Sequence, residues 1–260
     1  MKPFDANRFR AATRETKPKL GRPLMYQAVT GSTNDDALAA ARSGAPHGSL
    51  FVADEQTAGR GRRGNSWLAA PGENLLFSVL VRPELELAQA SGLTLAIGLA
   101  LRDAILPLVD AGDAVQIKWP NDLYVNGKKL AGILVESQLQ GERLQAVVIG
   151  VGLNVATRSF PPEIAARATS LALLGVGDTE REPLLQSLLN AITTRLDEYR
   201  QSGVAGILDE LNASDALLGK PVRVDAVTGV GRGLDAQGRL LVEDDAGVVH
   251  AIIAGTVELI

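Results

Sequence analysis

Apolar residues occur along the chain in runs of two lengths, which predicts a mixture of strands and helices. Runs of four to eight residues are typical of buried strands, whereas longer segments indicate helices. The helix-length segments are residues 34–42, 86–109 and 183–212. The strand-length runs are residues 25–30, 50–55, 74–81, 115–119, 122–125, 129–137 and 144–155. We therefore expect an α+β core in which helices pack on one side of a sheet.

Turn-forming residues divide these runs and suggest domain boundaries. Asn126-Gly127 joins two strand-length runs, and this dipeptide is the strongest short signal for a β-hairpin. Ser32 or Thr33 can cap the helix that follows. After Gly219 the pattern changes to short β runs separated by Gly or Asp, which predicts a small barrel. We expect a core domain over residues 24–214 and a C-terminal barrel over 215–260.

Residues 1–23 differ from the rest of the chain in charge. They carry seven basic and two acidic side chains and three prolines. This composition predicts a loose, solvated N-terminal arm that contains a short basic helix around Arg8 to Arg14.

Composition and charge exclude several classes of function. The chain carries 26 basic and 30 acidic residues, so it is not a polycation that coats nucleic acid. It has no cysteine, which excludes disulfides, thiolate nucleophiles and iron–sulfur clusters. Two histidines, His47 and His250, are too few for a multi-histidine metal centre, and any metal should be an oxygen-liganded ion such as Mg²⁺. No apolar run reaches the length of a membrane span and the N-terminus lacks a secretory signal, so we expect a cytoplasmic protein.

The glycine- and arginine-rich loop at residues 59–64 is the first candidate for chemistry. Its sequence, GRGRRG, fits the dinucleotide-binding fingerprint and follows a predicted strand. That fingerprint requires a helix to open at the loop, whereas Pro71 and Gly72 follow closely and precede another strand. Glycines that expose backbone amides, together with three arginines, instead suit the binding of an anion. An exposed basic turn is the structural alternative.

Three further segments carry polar residues beside predicted strands. They are residues 118–122 (KWPND), 128–132 (KKLAG) and 150–154 (GVGLN). Lys129 begins an apolar strand, so the hairpin can hold its ammonium over the sheet, although hairpin lysines are commonly only solvated. The glycines at residues 150 and 152 would let a flat ligand lie close to the backbone.

These segments, in this order and at these separations, resemble the catalytic part of the biotin protein ligases. The matching strings are residues 31–34 (GSTN), 56–67 (QTAGRGRRGNSW), 118–123 (KWPNDL), 128–136 (KKLAGILVE), 150–155 (GVGLNV) and 168–171 (ATSL). The resemblance covers roughly residues 25–260, and the motifs are specific as a set.

The resemblance implies a mixed-sheet ligase core, of the class II synthetase-like type, with an SH3-like C-terminal barrel, and a two-step reaction. In the first step the carboxylate of biotin attacks the α-phosphate of ATP, with Mg²⁺ on the phosphates, to give biotinyl-5'-AMP and pyrophosphate. In the second step a lysine of a biotin carboxyl carrier protein domain attacks the adenylate. The resemblance leaves the choice between monomer and homodimer open.

The resemblance also implies roles for individual residues. Around the ureido ring of biotin we expect Ser32, Thr33, Asn34 and Gln56. On the biotin carboxylate and the phosphates we expect Arg60, Gly61, Arg62 and Lys129, of which Arg62 and Lys129 are catalytic. Beside the nucleotide we expect Trp67, Asn121 and Asn154, with Gly132 also in the binding site. Asp122 is a candidate base for the acceptor lysine or an Asx-type turn residue, and Trp67 could equally be a core anchor. No protein side chain is predicted as a metal ligand.

Three alternatives remain at this point: a lipoate-type adenylating ligase, a biotin-binding module without catalysis, and a Rossmann oxidoreductase. Many bacterial relatives carry a DNA-binding helix-turn-helix of some sixty residues before the core. Because about two dozen residues precede the core here, we expect no specific DNA binding.

Overall fold

The computed structural model describes residues 2–16, 18–82, 87–141 and 143–260, which form two β-sheets with helices around the larger one. The helices are α1 (Ala6–Thr16), α2 (Thr33–Arg42), α3 (Leu93–Ile105), α4 (Pro162–Ala165), α5 (Arg181–Ser202) and α6 (Leu208–Ala213). The strands of the first sheet are β1 (Leu24–Thr30), β2 (Leu50–Gln56), β3 (Leu75–Val81), β4 (Val115–Lys118), β5 (Asp122–Val125), β6 (Lys128–Gln140) and β7 (Arg143–Leu153). Those of the second are β8 (Pro221–Val224), β9 (Val227–Leu234), β10 (Leu240–Glu243), β11 (Val249–Ile252) and β12 (Val257–Leu259).

The first sheet is mixed and contains the strands predicted from the apolar runs. Its order is β1-β2-β3-β7-β6-β5-β4, with β1 and β2 parallel and the other neighbours antiparallel. Asn126 and Gly127 have φ angles of 51° and 76° and connect β5 to β6 with Val125 opposite Lys128. Both residues therefore adopt the left-handed conformation that a two-residue hairpin turn requires. The predicted α+β core and hairpin are confirmed.

Helices cover both faces of this sheet, so the expectation of helices on one side is wrong. On one face α3 packs against α5 over the main core. On the other face α2 packs Ala37 and Ala41 against Phe51 and Leu80. Two alanines four residues apart let this helix approach the strands closely, because they lie on the same side of the helix. Glu86, the predicted start of the helical segment that contains α3, lies outside the described residues.

The N-terminal segment is part of the core, so the prediction of a loose, solvated arm is also wrong. The predicted basic helix exists as α1 and packs against α5 and β1. Phe4 and Phe9 are only 3% and 1% exposed. Beneath them Arg181 pairs with Asp54 at 2.8 Å, and Asp54 accepts a hydrogen bond from the backbone N–H of Phe4. The free energy gained by burying two aromatic side chains holds this segment on the core, although most of its charged residues are basic.

The C-terminal residues form a five-stranded antiparallel sheet in the order β11-β10-β9-β8-β12. Among its contacts with the core are two residues that follow one another in the KWPND segment. Lys118 Nζ donates to the carbonyl of Val257 at 2.8 Å, and the indole N–H of Trp119 donates to the carbonyl of Gly238 at 3.0 Å. The sheet is thereby held against the edge of the core that contains β4. The domain boundaries given above stay predictions.

Candidate active site

A cleft opens on the face of the sheet that carries α2. The cleft brings together segments that are distant in sequence but were predicted to act together. Nine of the predicted binding residues line it: Ser32, Thr33, Asn34, Gln56, Arg60, Gly61, Trp67, Asn121 and Gly132.

Glycines of β6 and β7 form the floor of the cleft. Because strand side chains alternate between faces, residues 132, 150 and 152 point to the same side. A Cβ atom at Gly150 would lie 2.0 Å from Asn34 Oδ1, and one at Gly152 would lie 2.4 Å from Trp67 Cε2. Any side chain at these two positions would therefore displace a residue of the cleft.

Trp67 lies across this floor and is only partly exposed. Its ring contacts the backbone at Gly152, and Lys129 Nζ lies 5.4 Å from the centre of the ring. Its indole N–H is buried and has no hydrogen-bond partner among the described residues. A buried donor without a partner is destabilising by about 1–3 kcal/mol, so this group is available to a ligand atom that accepts a hydrogen bond.

The N-terminus of α2 forms the polar end of the cleft. Gln56 Oε1 accepts hydrogen bonds from the backbone N–H of Thr33 at 2.8 Å and from its hydroxyl at 3.0 Å. Asn34 Nδ2 donates to Glu136 Oε2 at 2.8 Å. Ser32 is 3% exposed, and its hydroxyl makes no hydrogen bond to any described residue. The side chain of Gln56 is thus fixed by its oxygen, while no described residue accepts a hydrogen bond from its amide N–H groups.

Ser78 on β3 supports this polar end from below, and the sequence reading missed it. Its hydroxyl is buried and lies 2.8 Å from Thr33 Oγ1 and 2.5 Å from Asn34 Oδ1. Ser78 stands in a run of apolar residues, where a single hydroxyl gives no signal of function. Because side chains alternate between the two faces of a strand, the position of Ser78 between Phe77 and Val79 predicts only that it faces the opposite side from them.

Arg60 is held by two carboxylates that the sequence reading also missed. One terminal nitrogen contacts Asp35 Oδ1, and the other lies 2.6 Å from Glu136 Oε1. Partial burial alone would lower the pKa of Arg60, but the carboxylates of Glu136 and Asp35 outweigh it and the pKa is raised. Arg60 therefore anchors its loop to α2 and β6, and its charge is balanced.

Arg62 differs from Arg60 because it makes no ion pair with any described residue. Burial, followed by the charge of the neighbouring Arg63, lowers the pKa of Arg62, while Asp122 opposes the change. A short 3₁₀ turn, Arg62–Gly64, continues the loop, and the next element is β3. No helix opens at the loop in the described residues, which removes the basis of the Rossmann alternative.

Lys129 and Asp122 meet at the mouth of the cleft. Lys129 Nζ lies 2.7 Å from Asp122 Oδ1, and both side chains are partly exposed, at 32% and 17%. The backbone of Lys129 is fixed on both sides, since its N–H donates to the carbonyl of Arg167 and its carbonyl accepts from the N–H of Thr169. The carboxylate of Asp122 thus pairs with the hairpin lysine rather than closing an Asx turn.

Comparison with known proteins relates this geometry to one family. Residues 26–154 match the Biotin/lipoate A/B protein ligase family, and residues 217–260 match the biotin protein ligase C terminal domain. The biotin–[acetyl-CoA-carboxylase] ligase of Mycobacterium tuberculosis is 40% identical over 244 residues, which are 91% of this chain and 88% of that protein. The chain belongs to the biotin protein ligase family.

Other members of the biotin protein ligase family agree in sequence and in fold. The bifunctional ligase/repressor BirA of Bacillus spizizenii is 35% identical over 92% of this chain and 75% of its own length. The structure of the biotin protein ligase from Aquifex aeolicus in complex with biotin and ATP superposes with a TM-score of 0.78 at 29% identity, covering 92% of this chain and all of the other.

Two predicted residues have structural roles in addition to any contact with a ligand. Asn121 Nδ2 donates to the carbonyl of Ile133 at 2.8 Å, while the residue also lines the cleft. Asn154 is 5% exposed, and its Nδ2 donates to the carbonyl of Thr169 at 3.0 Å. Asn154 therefore connects β7 to the segment that fixes Lys129, and it does not line the cleft.

Lys118 is a further cation that the sequence reading did not place in the site. Its ammonium lies 5.4 Å from the centre of the Tyr124 ring and near Asp122 and Lys129. Burial lowers the pKa of Lys118, and burial raises the pKa of Tyr124 to about 12. Because its Nζ already donates to Val257, Lys118 connects the cleft to the C-terminal sheet.

Within the described residues, no group of three His, Asp or Glu side chains is placed to hold a metal ion. The described helices also include none that is long and apolar enough to cross a membrane. In proteins Mg²⁺ commonly binds through substrate phosphates and one or two carboxylates rather than in an all-protein cage.

Proposed function

We propose that this protein activates biotin with MgATP to form biotinyl-5'-AMP and then transfers biotin to a lysine of a biotin carboxyl carrier protein domain, acting in the cytoplasm. The observation that carries the proposal is a glycine-floored cleft with a polar end, which is lined by Arg60 and Gly61 of the arginine loop and has Lys129 beside Trp67 and Gly132. The family includes lipoate ligases, but the named relatives above act on biotin, which favours biotin as the substrate.

The polar end of the cleft suits a cyclic urea. A ureido group presents one carbonyl acceptor and two N–H donors, so its recognition requires both donors and acceptors. The hydroxyl of Ser32 and the amide N–H groups of Gln56 are free to serve the ligand. Ser78 and Asn34 hold this end of the cleft in place.

The first step requires cations because both reactants are anions. A carboxylate that approaches a phosphate at 4 Å is repelled by about 4 kcal/mol per pair of unit charges at an effective dielectric constant near 20. Lys129 and Arg62 can offset this repulsion where negative charge accumulates. The carboxylate of the substrate is itself the nucleophile, so the absence of cysteine from the chain is no obstacle.

The nucleotide side of the cleft is assigned to Trp67 and Asn121, with Asn154 as a supporting residue. The indole of Trp67 offers a flat apolar surface and an unpaired N–H to the adenosine. Gly132 and Gly152 leave room for both the indole and a flat ligand. Asn121 lines the cleft, whereas Asn154 is buried and supports it through its hydrogen bond to the carbonyl of Thr169.

In the second step the acceptor lysine must lose a proton. Asp122 is placed to orient this lysine or to accept the proton, because its carboxylate lies at the mouth of the cleft beside Lys129. Displacement of Lys129 toward the phosphates would free this carboxylate for the incoming amine. Whether the protein acts as a monomer or a homodimer does not affect this assignment, since every residue named comes from one chain.

The proposal is tested by coupling pyrophosphate release to the labelling of a carrier domain. We expect release with MgATP plus biotin, little release with MgATP plus lipoate, and one biotin per carrier domain at a single lysine. A carrier domain with that lysine changed to arginine serves as the control. Equal pyrophosphate release with lipoate, or none with biotin, would contradict the proposal.

A further inference from the structure

One arginine of the loop at residues 59–64 reaches out of the core and contacts the C-terminal sheet. Arg63 Nη1 lies 3.1 Å from Asp225 Oδ1 and 3.3 Å from Thr256 Oγ1, and Arg63 Nη2 lies 3.5 Å from Asp225 Oδ2. Asp225 lies in the turn between β8 and β9, and Thr256 precedes β12. A residue of the candidate active-site loop is thus tied to a separate sheet.

The backbone at Arg63 is unusual for an arginine. Its φ of 54° and ψ of 35° lie in the left-handed region, which residues other than glycine, asparagine and aspartate rarely adopt. Both members of the ion pair are about half exposed, at 47% and 53%, and an exposed pair returns less stability than this backbone conformation removes. Stability alone therefore does not account for an arginine here, where glycine would be less strained.

The loop is held by ion pairs at Arg60 and Arg63, and Arg62 lies between these two residues in sequence. On one side Arg60 is paired with Asp35 and Glu136, and on the other Arg63 is paired with Asp225. The N–H of Gly61 donates to the carbonyl of Asn65 at 2.7 Å and closes a tight turn that contains Arg62 and Arg63. Arg62 itself has no ion-pair partner among the described residues.

The two anchors differ in how easily they can open. The Glu136 carboxylate that holds Arg60 is 22% exposed, whereas the side chains of Arg63 and Asp225 are 47% and 53% exposed. Exposed pairs are weak and are screened by salt. The contact with the C-terminal sheet is therefore the anchor that can release and re-form as substrates enter and products leave.

We propose that Arg63 is a positioning residue that latches the arginine loop to Asp225 and Thr256 and so keeps Arg62 over the bound adenylate. The inference rests on the proposed function and extends it, because it gives the C-terminal sheet a part in retaining the intermediate. Arg63 does not touch the reacting atoms. It acts through the position of Arg62.

The test is a double-mutant cycle with Arg63→Gln, Asp225→Asn and the double variant. Each protein is loaded with biotin and MgATP, and the rate at which the adenylate is lost is followed after dilution. We expect each single variant to lose it about two- to fivefold faster than wild type, the range an exposed ion pair allows. The double variant should be no faster than the faster single variant, and Arg63→Lys should recover part of the retention.

Two controls separate a latch from a general structural effect. Arg232→Gln removes an exposed ion pair, at 2.6 Å to Glu243, from the same sheet and should retain the adenylate as wild type does. Melting temperatures of all variants should agree within a few degrees, and the difference from wild type should shrink in 1 M salt as the pair is screened.

The outcomes distinguish this inference from the function on which it rests. If wild type forms no adenylate, the proposed function fails. If wild type forms it and the Arg63 and Asp225 variants lose it at the wild-type rate, the latch is refuted while the function stands. Independent, additive effects of the two substitutions would also refute the latch.

Discussion

A buried carboxyl group at the junction of the two sheets should make the stability of this protein depend on pH. Asp215 follows α6 and is 7% exposed. Its Oδ1 accepts a hydrogen bond from the N–H of Leu217 at 2.9 Å, while its Oδ2 has no partner among the described residues. Burial raises the pKa of Asp215 to about 6, against the opposing effects of this hydrogen bond and of Lys220.

The size of the effect follows from the change in pKa. The ordinary value is 3.8, so a folded-state pKa of about 6 corresponds to about 3 kcal/mol at 1.36 kcal/mol per unit. Because the folded pKa is the higher one, this stability is fully present below pH 3.8 and is lost as the pH rises through 6. Above pH 6 the folded protein therefore carries an unfavourable buried charge.

The substitution Asp215→Asn removes this charge and keeps an oxygen acceptor for the N–H of Leu217. At pH 8 we expect the variant to be more stable than wild type by up to about 3 kcal/mol. Roughly 2 kcal/mol of this gain should disappear on going from pH 8 to pH 4.5. The free energy of unfolding, measured by urea denaturation at several pH values, gives both quantities.

The same substitution at Asp245, an exposed residue between β10 and β11, is the matched control and should give no gain of this kind. The reasoning is refuted if Asp215→Asn is no more stable than wild type at pH 8, or if the difference between the two proteins is the same at every pH.

Four further predictions concern the site. Lys129→Ala should slow pyrophosphate release about a hundredfold with little change in ATP affinity, and unchanged release would remove Lys129 from the mechanism. Arg62→Gly should release reactive adenylate, measured as labelling of bystander lysines; labelling equal to wild type would refute its role over the intermediate. Trp67→Ala should raise the ATP requirement at a nearly constant melting temperature, whereas a large loss of stability with unchanged nucleotide affinity would indicate a core anchor. The basic helix α1 packs on the core, so we expect its charges to attract DNA only weakly and without regard to sequence, and a preference of about a thousandfold or more for biotin-gene promoter DNA over random duplex would contradict this expectation.

Local patterns predicted the parts of the fold that depend on neighbours in sequence. The Asn126-Gly127 turn is an example, since two residues that tolerate a left-handed backbone determine the connection by themselves. The motifs also predicted which segments meet in the cleft, although only the resemblance to a family supplied their roles. Glycines at residues 150 and 152 predicted a close approach to the backbone, and Asn34 and Trp67 occupy that space.

Features that depend on distant partners were not predictable in this way. Phe4 and Phe9 bury themselves against elements that begin far along the chain, while the local sequence is dominated by basic residues. The local sequence did not mark Glu136 as a residue of the site, because its partners, Arg60 and Asn34, come from two other segments. The sequence did not show that Arg63 differs in role from Arg60 and Arg62, because its partner Asp225 lies in the C-terminal sheet.

Intact-complex mass spectrometry tests the central claim most directly. The protein is mixed with biotin and MgATP, desalted under native conditions and weighed. We predict a bound mass equal to biotinyl-5'-AMP, which disappears when a carrier domain is added and is absent when lipoate replaces biotin. Recovery of the protein with unreacted biotin and ATP only, or with no ligand, would contradict the account.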